Sequence, residues 1–289
     1  MDKILITGSS GFVGSAVVNK LNLKTQVYCL VRNIPSRKKK GIIYLKGDLF
    51  NETYINKILK KYRFKHLIHL AWEATPIKFW NSKKNRNFLL SSTNLFYNFC
   101  KNGGKYAFFT GSASECNLDN KKIFEKDYLE NFNLSEYTLS KYLLYKNVIK
   151  ISEIFKTKFM WARIFWIYGK GQSKGKLIAD LISSLKSKKK FVVKNMFDKI
   201  NLMHVEDVGS SIVSIFKKKI KGIANIASKK NYMISDIKYM INDKLLSDLI
   251  ILKDYKNNYS FDRIIINILK KIKFKEKMKI NVKINELLS

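Results

Sequence analysis

The chain holds 289 residues with 46% hydrophobic and 13% aromatic content, which excludes a disordered or collagen-like protein. Its formal net charge is +34 at pH 7, yet only six of the 56 basic residues are Arg and the other 50 are Lys scattered along the chain. Base and phosphate readout favours the forked guanidinium of Arg, so we read the charge as solvated surface and expect neither nucleic acid nor membrane as a partner. No apolar run approaches the ~20 residues that cross a bilayer. The first strand starts at Ile4 with no basic leader, and Cys29, Cys100 and Cys116 show no CxxC spacing. A cytoplasmic protein with neither disulfide framework nor metal is therefore expected.

Ile4 to Thr7 is a short apolar run, followed by Gly8, Gly11 and Gly14 and then by Val17, Val18 and Leu21 at helical spacing. Val27 to Val31 and Ile42 to Leu45 are further strand candidates, the second leading into Gly47-Asp48-Leu49. A helix over Tyr54 to Tyr62 precedes a strand over His66 to Ala71. A long helix over Asn85 to Cys100 precedes a strand over Tyr106 to Thr110, and a helix over Glu136 to Phe155 leads to a strand over Phe159 to Phe165. Beyond that the pattern loosens, with a glycine-rich turn, a helix near Lys176 to Lys186 and a strand at Phe191 to Lys194. Strands alternating with helices predict an α/β, Rossmann-type fold with a doubly wound parallel sheet. We expect residues 1–165 to form this domain, 196–225 to return to it, and 166–289 to make a smaller mixed α/β lobe, partly interleaved.

The glycine turn falls at the first strand-to-helix junction, where backbone N–H groups can cradle a pyrophosphate. Gly8, Ser10, Gly11, Phe12 and Val13 are therefore assigned to a dinucleotide. Such folds commonly place a carboxylate on the ribose at the end of the second strand, but here no acidic residue lies between Asp2 and Asp48. Arg32, with the basic run Arg37 to Lys40 behind it, suits a 2′-phosphate, so NADP(H) is expected over NAD(H). Tyr137 and Lys141 stand four apart and share a helix face, where the Lys charge is expected to lower the phenol pKa. Ser112, at a strand end, can give a second hydrogen bond to the same substrate oxygen.

With the glycine turn, Ser112 and Tyr137-x-x-x-Lys141 in this order, the sequence resembles the extended short-chain dehydrogenase/reductase family. These are NAD(P)-dependent nucleotide-sugar epimerases, dehydratases and reductases. The resemblance implies that Ser112, Tyr137 and Lys141 form the catalytic triad, with Lys141 also binding the cofactor ribose. It implies that Asp48 and Leu49 meet the adenine and that Leu70 and Ala71 lie beside the cofactor. Trp72, Thr75, Ser114 and Trp166 are assigned to the substrate, a nucleoside-diphosphate sugar, and a homodimer paired through two helices is expected.

The chain also departs from the family. Glu115-Cys116-Asn117 stands where many members have Val-Tyr-Gly, Trp166 stands at a position commonly Asn, and Ile200-Asn201 replaces Arg-Asp. Glu115 is expected to be an exposed loop carboxylate, and His69 and His204 to be hydrogen-bonded structural residues. The reading reached is an NADPH-dependent reductase of a keto group, at C4 of a 6-deoxy sugar nucleotide by family resemblance. An NAD-retaining epimerase is the alternative, and a non-catalytic dinucleotide sensor or RNA-binding member of the fold is the alternative from another class.

Overall fold

Residues 2–21, 25–73, 79–118, 120–126, 134–253 and 263–289 are described by the computed structural model. In chain order the first half contains β1 (Lys3–Thr7), α1 (Phe12–Lys20), β2 (Gln26–Val31), β3 (Ile42–Lys46), α2 (Glu52–Tyr62) and β4 (His66–His69). There follow α3 (Lys84–Lys101), β5 (Tyr106–Ser112), the short β6 (Lys122–Ile123), α4 (Glu136–Phe155) and β7 (Lys158–Ile164). The later chain contributes β8 (Trp166–Tyr168), α5 (Leu177–Lys186), β9 (Phe191–Val193), β10 (Lys199–Ile200), β11 (Leu202–His204), α6 (Val205–Lys217) and β12 (Gly222–Ile226). It ends with β13 (Tyr232–Met233), α7 (Asp236–Tyr239), α8 (Lys244–Asp248), β14 (Ile250–Leu252), β15 (Arg263–Ile264), α9 (Asn267–Lys271) and α10 (Ile280–Leu288).

Seven parallel strands form the central sheet in the order β12-β7-β5-β4-β1-β2-β3. Alternation along each strand sorts the core into two faces. Ile4, Ile6, Phe108 and Met160 belong to the face that also holds Val17, Val208 and Ile212 of α1 and α6. Leu5, Phe109 and Trp161 belong to the other, with Leu59, Phe96 and Val148 of α2, α3 and α4. Every one of these side chains is buried, which is why the sheet carries helices on both sides. The order reverses between β1 and β4, and in such sheets ligands bind beyond the carboxyl ends of the strands at that reversal.

Local sequence sets the helix limits that position the site. Asn51 caps α2 by accepting from the Tyr54 N–H at 3.0 Å, and the helix stops at Arg63 in the left-handed region, φ 48°. Ser135 caps α4 by accepting from the Thr138 N–H at 3.2 Å, with Glu136 favourably placed in the first turn. Arg86 of α3 grips that Glu136 with two N–H donors, at 2.9 and 2.6 Å, tying the starts of the two helices together. The later chain builds a third core around Leu181, Leu185, Ile237 and Ile284, with β9 paired to β14 and β8 to β11. The chain returns to the main sheet through α6, packed on α1, and β12, beside β7. No helix among the described residues is long and apolar enough to cross a membrane.

Candidate active site

The turn after β1 is closed by the Gly11 N–H donating to the Gly8 carbonyl at 3.0 Å. Gly8 lies at φ 72°, and a Cβ there would come within 2.6 Å of the Leu70 carbonyl carbon and strike Ala71. Gly14, one turn into α1, faces the Gly8 carbonyl so closely that any side chain would collide with it. Gly11 caps α1 without a side-chain acceptor, leaving first-turn N–H groups to be met by something other than protein side chains. A main-chain cradle that a Cβ would fill, opening onto a helix start, fits a dinucleotide pyrophosphate. The sequence-predicted Gly8, Ser10, Gly11, Phe12 and Val13 make up this cradle, with Leu70 and Ala71 on its flank.

Around it, Arg32 follows β2 and is exposed, and Asp48 follows β3, its Oδ1 accepting from the Phe50 N–H at 2.9 Å. Leu49 beside it is buried. The basic run behind Arg32 is only partly available to a ligand. Lys39 folds back and donates to the carbonyls of Val18 and Asn19 at the end of α1, where a cation favours the helix dipole.

Ser112, Tyr137 and Lys141 come together where β5 ends and α4 begins. The Ser112 hydroxyl faces the Tyr137 phenol, and the Ser114 hydroxyl donates to Ser112 Oγ at 3.1 Å. Lys141, 3% exposed, donates to the Thr110 carbonyl at 2.8 Å, and its Nζ sits 3.9 Å from the centre of the Trp72 ring. Phe79 and Trp80 stand edge-on to Tyr137, at 4.9 and 5.6 Å between ring centres. Asn85 fixes this aromatic turn: it accepts from the Trp72 indole at 2.9 Å and donates to the Phe79 and Ser82 carbonyls at 2.6 and 3.0 Å. Trp166 instead opens β8, paired with Leu202 of β11, and Thr75 lies outside the described residues.

Two electrostatic expectations need correction. Lys141 was expected to lower the Tyr137 pKa; instead, burial pushes the phenol up to about 12, opposed by the facing Ser112 hydroxyl. The four-residue spacing does place both groups on α4, but the ammonium turns to Thr110 and the Trp72 face. Burial also pushes the Lys141 pKa down, against the pull of the Glu115 carboxylate. Glu115 is likewise not an exposed loop carboxylate. It is 1% exposed, accepts from the Ser112 backbone N–H at 2.6 Å and the Trp161 indole at 2.8 Å, and closes a capping box with Ser112. The Ser112-x-x-Glu115 spacing is itself the signal for this box.

The histidines make polar contacts within the fold. His69 lies between Thr7 Oγ1 at 2.7 Å and Ser92 Oγ at 2.8 Å, and burial pushes its pKa down to about 3, so it stays neutral. His204 caps α6 by accepting from the Glu206 N–H at 3.3 Å. Lys176, at the start of α5, was not singled out from sequence; its Nζ lies 4.8 Å from the centre of the Phe79 ring. Among the described residues no group of three or more His, Cys, Asp and Glu could hold a metal ion.

A model of the NAD dependent epimerase/dehydratase family matches residues 4–227. Among solved structures, the chain is similar to a UDP-glucose 4-epimerase from Thermotoga maritima with UDP-glucose. The identity is 17% and the TM-score 0.80, over 99% of this chain and 97% of that one. It is also similar to a UDP-glucuronic acid 4-epimerase from Bacillus cereus in complex with NAD, at 18% identity and TM-score 0.81, over 98% and 96%. A UDP-N-acetylglucosamine 4-epimerase from Methanobrevibacter ruminantium in complex with UDP-N-acetylmuramic acid gives 21% identity and TM-score 0.78, over 99% and 97%. No curated protein matches the sequence. Identities this low speak for the fold, whereas the family match spans most of the chain and includes the glycine cradle, Ser112, Tyr137 and Lys141. The chain belongs to the NAD dependent epimerase/dehydratase family.

Proposed function

We propose that this protein is an NADP(H)-dependent reductase of a keto group on a nucleoside-diphosphate sugar, at C4 of a 6-deoxy sugar. The convergence of Ser112, Tyr137 and Lys141 beside the glycine cradle carries the reading. When bound, the nicotinamide supplies the hydride. Tyr137 gives its phenolic proton to the carbonyl oxygen as that oxygen gains charge, and Ser112 holds the same oxygen. Burial keeps the phenol protonated at neutral pH, which supports a proton donor rather than a base in the resting protein. Lys141 binds the cofactor ribose. The C4 assignment rests on family resemblance.

Arg32 supports the cofactor assignment. It stands exposed just after β2 in place of a carboxylate, free of the helix contacts that occupy Lys39. A charge-assisted bond to a 2′-phosphate contributes ~1.5–3 kcal/mol, so NADPH is expected to bind about tenfold or more tightly than NADH. Calorimetric titration of both cofactors checks this, and Arg32→Ala should narrow the gap. Equal affinities in the wild-type protein would overturn the cofactor assignment.

An epimerase is the second reading, favoured by the naming of all three structures above as 4-epimerases, one of them in complex with NAD. In that reading the same triad first removes a proton from a sugar hydroxyl, and the cofactor is retained through the whole cycle. Trp72, Ser114 and Trp166 remain proposed substrate contacts, Trp72 lying against Lys141 and Ser114 against Ser112.

A further inference from the structure

Beneath the triad lies a buried cluster of charges that the proposed chemistry does not itself require. Glu115 lies at its centre, with one carboxylate oxygen on the Ser112 peptide and the other on the Trp161 indole of β7. Space for that carboxylate exists because residue 111 is glycine. A Cβ at Gly111 would come within 2.7 Å of Glu115 Oε1 and 3.0 Å of Arg163 Cγ, and would strike the Trp161 indole nitrogen. Gly111 pairs directly with Arg163 across β5 and β7, which brings a guanidinium to the same spot.

The charged groups facing Glu115 come from two packed elements. Lys141 approaches from α4 and Arg163, fully buried, from β7. Arg163 donates to the Phe124 carbonyl at 2.8 Å and also faces the carboxylate of Glu125, which accepts from the Ile268 N–H at 3.0 Å. Tyr137 of α4 feels the Glu115 charge as well, and His69 of β4 feels that of Lys141 while staying neutral. Two buried cations thus stand against the buried carboxylate of Glu115 and the half-buried one of Glu125, and removing Glu115 leaves an uncompensated charge.

We propose that Glu115 is a positioning residue whose carboxylate fixes the Ser112 peptide against β7 and holds the facing Lys141 side chain as an ammonium. The inference rests on the roles proposed above for Ser112 and Lys141. Its physical content is a sign. Burial works against both charges, pushing the Glu115 carboxyl up and the Lys141 ammonium down, and each charge opposes that effect on the other, so neutralising Glu115 lets Lys141 lose its proton at lower pH. A deprotonated Lys141, with one N–H already held by the Thr110 carbonyl, loses a donor and the positive charge it offers the cofactor ribose.

The test is a fluorescence titration of NADPH into the wild-type protein and Glu115→Gln from pH 5 to pH 9. Gln keeps the shape of the side chain and an acceptor for the Ser112 N–H but removes the charge. Once Lys141 titrates, affinity is expected to fall about tenfold per pH unit, and in the variant this fall should begin about one unit lower or more. The same fall in both proteins overturns the inference while leaving the functional reading intact. A wild-type protein that binds no NADPH at any pH overturns both. If Glu115→Gln does not fold, the double variant Glu115→Gln, Lys141→Met decides. Recovery of folding on removing both charges supports the pairing, and a double variant that stays unfolded overturns it.

Discussion

Replacing Tyr137 by Phe is expected to lower the reductive kcat by about 10²–10⁴-fold, the usual contribution of a positioned proton donor. The substitution removes one oxygen. The ring contacts with Phe79 and Trp80 remain, as does the cap at Ser135, so folding should be retained. The Ser112 hydroxyl loses the phenol it faces but keeps the Ser114 contacts, so the second hydrogen bond to the substrate oxygen survives. NADPH affinity should stay near that of the wild-type protein, because Lys141 and the glycine cradle are untouched. Steady-state kinetics beside an NADPH titration separates the two effects. A near-normal kcat would falsify the assignment of Tyr137.

The second large effect is expected at Gly8. Alanine there meets two penalties at once: a left-handed backbone at φ 72° and a collision with the Leu70–Ala71 main chain. The first costs about 1–2 kcal/mol, and overpacking against backbone that has little room to move adds about 1–3 kcal/mol. Gly41 supplies the internal control, since it has φ 82° but nothing within 4 Å of its added Cβ. Gly41→Ala should show only the conformational cost. Gly8→Ala should show more, together with loss of NADPH binding, when both are followed by urea unfolding and ligand titration. Equal destabilisation of the two variants would mean that the cradle is not as tight as the Gly8–Ala71 approach requires.

The parts of the site legible in the sequence are those whose residues are close in the chain. The glycine turn declares itself because a strand, three glycines and an amphipathic helix follow one another within 21 residues. Tyr137 and Lys141 declare a shared helix face for the same reason. Spacing cannot say where a flexible side chain turns, however, and the Lys141 ammonium goes to Thr110 and Trp72. The strand read as His66 to Ala71 ends at His69: Leu70 still donates to the Thr7 carbonyl at 3.1 Å, and pairing stops beyond it where Gly8 approaches Ala71. Glu115 was misread because its burial depends on distant partners: Trp161 and Arg163 of β7, and Lys141 one helix away. The later chain was the least legible. Its strand β9 is read at Phe191 to Lys194, but β8, β10, β11, β13, β14 and β15 are two or three residues long, too short for alternation to register.

Hydride transfer from an external cofactor is the most direct test of the account. Purified protein is mixed with NADPH and a panel of 4-keto-6-deoxy nucleotide sugars, and the nicotinamide absorbance is followed while the sugar products are identified. One NADPH is expected to be consumed for each sugar alcohol formed, with the reaction abolished or strongly slowed by Tyr137→Phe. Interconversion of sugar epimers with no external cofactor consumed would contradict it and assign the same triad to epimerisation.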